Sequence, residues 1–248
     1  VQITSGPISA IGSVIGWNFT DKLIDKSIIS SYWLIISVGY RHIIEPNLIR
    51  QCSCPIVNLH IAYLPFNRGA HPNFWSFIEN TPSGITINKV DKGIDSGNII
   101  YQKLIDFEFY KNKKKLTFRN TYSVLKNEIE KLFINNAKNI LNNDHPEYEQ
   151  IGKGTFHNTK DLPEVLKSWD QNIFTTVKKY QTIKNNFIKK KLDLLNEIEK
   201  TRKNNNINWM NILRSSLKNS TSETLEILKS INVDDDKISQ LFKKLYEK

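Results

Sequence analysis

Three polar residues of the sequence, Asn58, His60 and Asp95, carry the groups needed to transfer an acyl group to an amine. A carbonyl under attack by an amine gains negative charge on its oxygen, and a neutral amide such as that of Asn58 can donate a hydrogen bond to it. An imidazole such as that of His60 can move a proton near neutral pH. The carboxylate of Asp95 can orient that imidazole. This chemistry needs no serine or cysteine nucleophile.

The spacing of these residues predicts that their side chains meet. Asn58 and His60 lie two positions apart at the end of a predicted strand, so both side chains point to the same side of the sheet. Asp95 lies in a glycine-bracketed loop after the next predicted strand, and ligand sites of parallel sheets form outside the carboxyl ends of strands. We therefore expect Asp95 to face His60. Each residue alone is more typical of a turn or a buried structural side chain, so the prediction depends on all three together.

The elements that must position these groups show the pattern of an α/β fold. Short apolar or alternating runs that predict strands lie at residues 1–4, 32–38, 54–59, 85–90 and 99–104. Segments with apolar residues at helical spacing lie at residues 72–80 and 116–141. Strands that alternate with helices predict a mostly parallel sheet flanked by helices.

The composition changes after Asp170, where a separate region is predicted to begin. Residues 171–248 contain no glycine and no proline and are rich in lysine and asparagine, with apolar residues at helical spacing. Helix boundaries are expected at Asn204–Asn206, at Ser220 with Glu223, and at Asp234–Asp236. The sequence therefore predicts a catalytic domain over residues 1–170 and a helical C-terminal region over residues 171–248.

The overall composition limits the class of protein. The 248 residues are 39% hydrophobic, which is enough for a packed core and argues against disorder. The net charge of +10 would attract polyanions, but the lysines are spread out and are typical of solvated faces. Cys52 and Cys54 are the only cysteines, and their spacing fits neither a redox pair nor a zinc site, so no metal is expected. With no apolar run of about 18 residues, we expect a reduced, cytoplasmic protein without membrane insertion.

The residues around the three polar groups resemble a known family. Asn58-Leu59-His60 is followed by Tyr63-Leu64-Pro65-Phe66-Asn67-Arg68-Gly69-Ala70, then by Gly84-Ile85-Thr86-Ile87 and by Asp91-Lys92-Gly93-Ile94-Asp95-Ser96-Gly97. This order is similar to that of the folate-dependent formyltransferases, which include the methionyl-tRNA, glycinamide ribonucleotide and sugar N-formyltransferases. The similarity is clear over residues 32–105 and looser up to residue 170.

The resemblance implies a Rossmann-like formyltransferase domain, a formyl donor and a set of site residues. The implied donor is N10-formyltetrahydrofolate, and the implied catalytic residues are Asn58, His60 and Asp95. Residues implied to contact the donor are Gly39, Tyr40, Arg41, Ile94 and Asp95, and residues implied to contact the acceptor are Arg68, Gly69 and Asn73. Two departures stand out. Ala62 replaces a serine that many members carry, and the family opens with a complete β-α-β unit, so we expect this chain to be shortened at its N-terminus.

The acceptor amine is predicted from the same resemblance. Arg68-Gly69 counts against the glycinamide ribonucleotide branch, and the helical tail counts against the methionyl-tRNA branch, whose members carry a C-terminal β-barrel. The run from Leu64 to Trp75 looks closest to small sugar N-formyltransferases. We therefore predict formylation of an amino sugar, nucleotide-linked, for surface polysaccharide such as lipopolysaccharide. A methionyl-tRNA formyltransferase and an inactive folate- or nucleotide-binding scaffold stay open as alternatives.

Two further expectations concern regions beside the motifs. Trp75 is expected in the core rather than as a stacking platform. His157 is expected on the surface, with an approach to the acceptor site as the alternative. For the tail, three roles stay open: it joins two chains in a homodimer, it binds another partner, or it packs on the catalytic domain.

Overall fold

The structure, a computed structural model, describes residues 2–4, 20–30, 32–40, 42–107, 116–217 and 221–246. Its strands are β1 (Gln2–Thr4), β2 (Ile35–Val38), β3 (Ile56–His60), β4 (Arg68–Gly69), β5 (Gly84–Lys89), β6 (Ile99–Leu104) and β7 (Phe156–His157). Its helices are α1 (Lys26–Ile29), α2 (Pro46–Gln51), α3 (Pro72–Ile78), α4 (Phe118–Leu141), α5 (Ile173–Leu217) and α6 (Thr221–Tyr246). The main sheet has the order β1-β2-β3-β5-β6, and β4 pairs with β7 in a small second sheet. The predicted α/β class is confirmed.

The main sheet is mixed, which corrects the expectation of a mostly parallel sheet. β1, β2 and β3 run parallel to one another, whereas β5 is antiparallel to β3 and β6 is antiparallel to β5. The connection from β5 to β6 carries no helix, and a parallel crossover needs a dozen or more residues. Because Lys89 pairs with Val57, the loop after β5 leaves from the end of β3 opposite to His60. Asp95 therefore reaches His60 across the sheet face and not along a shared carboxyl edge.

The core has two sides because side chains alternate along each strand. One side joins sheet residues to α4 and includes Leu34, Ile36, Val57, Leu59, Ile85, Ile87, Ile100, Leu125, Ile129, Phe133 and Ile140. The other side joins Ile35 and Ile56 to Ile24 and Ile44. Asn58 and His60 alternate with the α4-facing residues of β3, so they lie on the face turned away from α4.

Helix α4 braces the first face of the sheet. The Thr117 hydroxyl caps its N-terminus by accepting from the backbone N–H of Asn120 at 3.2 Å. Phe118, fully buried at the first turn, packs on Phe74 of α3 with ring centroids 5.2 Å apart. Replacing such a buried aromatic by alanine typically costs about 3–5 kcal/mol. This contact anchors α3, and with it the turn that follows β4.

The chain forms two compact units, Val1–Lys178 and Lys179–Lys248. In the second unit α6 and the part of α5 that follows Lys178 lie antiparallel around a small core of Ile198, Ile238 and Leu241. Asn204–Asn206 and Asp234–Asp236 lie inside these helices, so both expected boundaries are wrong. Asparagine and aspartate lower helix stability by under about 1 kcal/mol per residue, which the packing of one helix on the other outweighs. The expected boundary at Ser220 lies outside the described residues.

Candidate functional site

Asp95 joins the three predicted residues through both oxygens of its carboxylate. Asn58 Nδ2 donates to Asp95 Oδ1 at 2.9 Å, and the backbone N–H of Gly69 donates to Asp95 Oδ2 at 2.8 Å. His60 Nδ1 lies 3.7 Å from the same Oδ2, which is too long for a hydrogen bond but close enough for an ion pair when the ring is protonated. The structure therefore brings Asn58, His60 and Asp95 together.

The amide of Asn58 is oriented by its neighbours. Its nitrogen must face Asp95, because a carboxylate oxygen can only accept. The second amide hydrogen points toward Asn88 Oδ1, 3.5 Å away, which is at the limit of a hydrogen bond. One N–H of Asn58 is thus committed to Asp95. The other makes only a weak contact with Asn88, so it can donate to a ligand.

His60 is held from its other ring nitrogen. Nε2 lies 3.0 Å from the backbone oxygen of Asn67, and the side chain is 9% exposed. Sequence reasoning expected Asp95 to orient this ring. The structure shows that the shorter contact is the one to Asn67, so this backbone oxygen sets the ring position.

The loop that carries Asp95 is built to present its carboxylate. Asp95 has a φ of 51°, a left-handed conformation that is uncommon outside glycine and often found at functional sites. Gly97 is buried, and a Cβ there would meet the carbonyl of Lys89. Gln150 Nε2 donates to the backbone oxygens of Asp95 and Gly97 at 2.8 and 2.9 Å. Gln150 therefore fixes this loop from a distant part of the chain.

The turn after β3 is fixed by two polar side chains, the buried Thr86 of β5 and the half-buried Gln102 of β6. The Thr86 hydroxyl donates to the oxygen of Ala62 at 2.7 Å and accepts from the backbone N–H of Leu64 at 3.3 Å. Gln102 Nε2 donates to the oxygen of Leu64 and to the Thr86 hydroxyl, both at 2.9 Å. The peptide bond between Leu64 and Pro65 is cis. This network leads the chain from His60 into the turn that contains Asn67.

Glycine is required at position 69. Its φ is 84°, and a Cβ would meet the carbonyl oxygen of His157 in the paired strand β7. The close pairing of β4 with β7 lets the Gly69 N–H reach Asp95. This amide was predicted to contact the acceptor, but in the structure it is committed to the carboxylate.

The other two residues predicted to contact the acceptor differ in their surroundings. Arg68 has a buried Nε without a hydrogen-bond partner among the residues that the structure describes. Asn73 is 5% exposed, and its Nδ2 donates to the oxygen of Phe118 at 2.8 Å. Arg68 therefore has a donor left for a ligand, whereas the amide nitrogen of Asn73 holds α3 to α4.

The residues predicted to contact the donor lie in two loops. Gly39 turns the chain after β2 with a φ of 59°, and the Tyr40 hydroxyl donates to the oxygen of Lys22 at 2.9 Å. Burial raises the pKa of Tyr40 above its ordinary value, with a smaller opposing effect from the N–H of Ile24. Arg41 lies outside the described residues. Ile94, beside Asp95, has 43% of its surface exposed.

A second cluster next to the site contains His157, Trp75 and Glu79. The rings of His157 and Trp75 stack with centroids 3.9 Å apart and planes at 8°. His157 Nε2 lies 3.2 Å from Glu79 Oε1, without the alignment of a hydrogen bond. Trp75 is buried as predicted, but the surface position expected for His157 is wrong, since the side chain is 11% exposed.

Several residues that build the site were missed in the sequence. They are Asn67, Thr86, Asn88, Gln102, Gln150 and Thr155. The left-handed turn at Asn67 has a local signal, because Asn before Arg-Gly is typical of a turn. Gln150 and Thr155 have no such local signal.

Across the described parts of the chain, no group of three or more His, Cys, Asp or Glu side chains could hold a metal ion. Nor does a helix in those parts have the length and apolarity to cross a bilayer.

Comparison with known proteins supports the resemblance read from the sequence. The family described as formyl transferase matches residues 20–123. The structure of the formyltransferase PseJ from Anoxybacillus kamchatkensis, solved with UDP-4,6-dideoxy-4-formamido-L-AltNAc and tetrahydrofolate, is 35% identical in sequence with a TM-score of 0.59. That match covers 64% of this chain and 85% of PseJ.

Two curated relatives show how much of a longer protein the chain matches. The methionyl-tRNA formyltransferase of Caldicellulosiruptor saccharolyticus is 30% identical over 152 residues, which is 61% of this chain and 47% of that protein. The GDP-perosamine N-formyltransferase of Brucella melitensis is 26% identical over 133 residues, which is 52% of this chain and 48% of that protein. The chain thus spans about half the length of these relatives. On the identity to PseJ over 85% of its length, the chain belongs to the formyl transferase family.

Proposed function

We propose that this chain transfers a formyl group from N10-formyltetrahydrofolate to the amine of a nucleotide-linked amino sugar, for surface polysaccharide biosynthesis. The observation that carries the proposal is the hydrogen-bonded set in which Asp95 accepts from Asn58 and faces His60. The similarity to PseJ, solved with a UDP-linked formamido sugar and tetrahydrofolate, supports both the donor and the acceptor class. We place the reaction in residues 1–170.

In the proposed reaction the acceptor nitrogen forms a bond to the formyl carbon, the bond from that carbon to N10 of the donor breaks, and the proton that the acceptor loses passes to N10, which leaves as the N–H of tetrahydrofolate. Asn58 donates its weakly held N–H to the oxygen that gains charge. His60 receives the proton from the attacking nitrogen, and Asp95 stabilises the imidazolium that results. Because the substrate amine is the nucleophile, no covalent enzyme intermediate is required.

The proposed donor site lies between the turn after β2 and the loop of Asp95. Gly39 gives that turn exposed backbone, and Ile94 offers an exposed aliphatic surface beside the carboxylate. A flat heterocycle needs such an apolar wall together with backbone donors and acceptors. We therefore assign donor contacts to Gly39, Tyr40 and Ile94.

Arg68 supports an anionic acceptor. A buried N–H of a guanidinium without a partner is costly, and such a group is usually matched by an anion such as a phosphate or carboxylate. In the proposed complex this anion is the diphosphate of the nucleotide sugar. The similarity to PseJ, 35% identical over 85% of its length, favours the sugar acceptor over methionyl-tRNA.

The test is turnover with defined substrates. Purified full-length protein is mixed with N10-formyltetrahydrofolate and a panel of UDP-, dTDP- and GDP-linked amino sugars, and tetrahydrofolate release and product mass are measured. We expect formylation of at least one sugar and loss of that activity in Asn58→Ala and His60→Ala. Ser123→Ala, which removes an exposed hydroxyl on α4, is the matched control.

Two outcomes would contradict the proposal. Turnover that is unchanged in the Asn58 and His60 variants would exclude the mechanism. Formylation of methionyl-tRNA, with no sugar accepted, would assign the other branch of the family.

A further inference from the structure

The contact between His60 and Asn67 determines where the imidazole carries its proton. His60 Nε2 lies 3.0 Å from the backbone oxygen of Asn67, which is a hydrogen-bond distance. A carbonyl oxygen can only accept, so Nε2 must be the donor. In the neutral ring a proton on Nε2 leaves Nδ1 with its lone pair.

We propose that Asn67 is a positioning residue that keeps the proton of His60 on Nε2 and reserves Nδ1 for proton transfer. Its consequence for catalysis rests on the proposed formyl transfer, whereas the proton position itself does not. Nδ1 faces Asp95 Oδ2 at 3.7 Å, so a proton taken from the attacking amine arrives beside a carboxylate. Proton uptake then replaces a repulsion between lone pair and carboxylate by an ion pair.

The side chain and backbone of Asn67 are held firmly enough to do this. Asn67 is completely buried and has a φ of 57°, a conformation that asparagine tolerates better than most residues. Its Nδ2 donates to the Thr81 hydroxyl at 2.8 Å. Its backbone N–H donates to the Thr155 hydroxyl at 2.8 Å, and that hydroxyl donates to Asn67 Oδ1 at 3.3 Å. These bonds aim the backbone oxygen of Asn67 at His60.

The Asp95 carboxylate is held without a proton on Nδ1 of His60. Its two oxygens already accept from Asn58 and from the backbone of Gly69. Asp95 therefore stays in place without a hydrogen bond from His60, and Nδ1 does not need a proton to hold the carboxylate.

The first experiment reads the proton position directly. The full chain is labelled with ¹⁵N in its histidine rings, and two-dimensional NMR separates the Nε2-protonated from the Nδ1-protonated form in the absence of substrate. His60 is assigned by the signal that disappears in His60→Gln. We expect the Nε2-protonated form for the neutral ring, and a neutral ring protonated on Nδ1 would overturn the proposal whether or not the protein transfers formyl groups.

The second experiment tests the role of Asn67. Asn67→Gly keeps the left-handed backbone and the backbone N–H bond to Thr155, but it removes the side-chain bonds to the Thr81 and Thr155 hydroxyls. Thr121→Val removes a buried hydroxyl that bonds within α4, to the oxygen of Phe118. We expect mixed proton positions on His60 and a kcat at least tenfold lower in Asn67→Gly, with neither change in Thr121→Val. An unchanged His60 spectrum in folded Asn67→Gly would refute the positioning role.

If Asn67→Gly does not fold, Thr155→Val removes the bonds to the backbone N–H and Oδ1 of Asn67 and leaves that residue intact. It carries the same expectation for the His60 spectrum and for kcat. Unaltered His60 signals in Thr155→Val would then count against the proposal.

Discussion

Two histidines of this protein are almost equally buried and each lies near a carboxylate, yet their surroundings differ. The side chains of His60 and His157 are 9% and 11% exposed. His60 lies between a backbone oxygen at 3.0 Å and the Asp95 carboxylate at 3.7 Å. His157 lies flat on Trp75 and next to Glu79. Burial and a nearby carboxylate are therefore shared by both histidines and do not distinguish their surroundings.

The difference lies in what the partners themselves contact. The Asp95 carboxylate is held by Asn58 and Gly69, and the Asn67 carbonyl that faces His60 is held by the side-chain bond of Asn67 to Thr81. Both partners of His60 are therefore fixed, which suits a ring that exchanges a proton. The aromatic face of His157 is covered by Trp75, which suits a ring that packs. The comparison predicts that His60 affects rate and His157 affects stability.

The largest expected effect separates these two histidines. We expect His60→Ala to lower kcat/KM by about 10²- to 10⁴-fold because proton transfer is lost, whereas its loss of stability should be no larger than that of other buried rings. His157→Ala should leave a measurable rate but lower the free energy of unfolding by about 1–3 kcal/mol, since a stacked ring is removed. Steady-state kinetics and thermal unfolding of both variants measure these effects. A His157→Ala variant as inactive as His60→Ala, with unchanged stability, would reverse the assignment.

The carboxylates give the next largest effect. Asp95→Asn places an amide where both Asn58 and Gly69 donate, so one donor loses its partner, and we expect kcat to fall at least a hundredfold. Glu79→Gln keeps a polar group beside His157 and is the matched control, with an expected change below about threefold. Steady-state kinetics of the two variants test the contrast. Equal losses in both would mean that the two carboxylates are not functionally distinct.

A smaller effect is expected from the residue that holds the Asp95 loop. Gln150→Ala removes the bonds to the backbone oxygens of Asp95 and Gly97, and we expect kcat to fall about tenfold through misplacement of the carboxylate. Gln171→Ala removes a similar brace, to the oxygen of Val165 and the N–H of Ser168, in a loop with no hydrogen bond to Asn58, His60 or Asp95 among the described residues. Kinetics should separate the two variants. No difference between them would indicate that the loop holds Asp95 without Gln150.

The smallest effect concerns a third histidine, His71, at the start of α3. Burial lowers the pKa of His71 below its ordinary value of 6.5. Below that pH the unfolded chain binds a proton that the folded chain resists, so this stabilising contribution is present at higher pH and is lost as the pH falls. We expect the free energy of unfolding to decline more between pH 7 and 5 in the wild type than in His71→Asn, which tolerates the φ of 54° at this position. Parallel pH dependences in denaturant unfolding would argue against it.

The sequence predicted the parts of the site that depend on short spacing. Asn58 and His60 share a face because they lie two positions apart, and α4 follows from its apolar periodicity. The antiparallel direction of β6 relative to β5 could also have been predicted, because the connection from Val90 to Asn98 is too short for a parallel crossover. The continuity of α5 through its asparagines could not, because it depends on packing against α6.

The residues that hold the site in place, Thr155 and Gln150, could not be predicted from local sequence for a different reason. Thr155 contacts Asn67 from 88 positions away, and Gln150 contacts Asp95 from 55 positions away. No sequence pattern around a loop threonine or glutamine identifies its hydrogen-bond partner. The pairing of β4 with β7 brings residues 156–157 back to the turn after β3, and this long-range pairing is seen in the structure and not in the sequence.

The segment that contains Gln150, Thr155 and β7 also bears on how activity would be lost during evolution. All the residues of the formyltransferase motif lie within the family match at 20–123, whereas these supports lie beyond it. A duplicated gene released from selection could keep every motif residue and still encode an enzyme slowed about tenfold by one substitution at Gln150 or Thr155. Relatives that are losing activity should therefore be examined for changes in residues 150–157 as well as for loss of the motif itself.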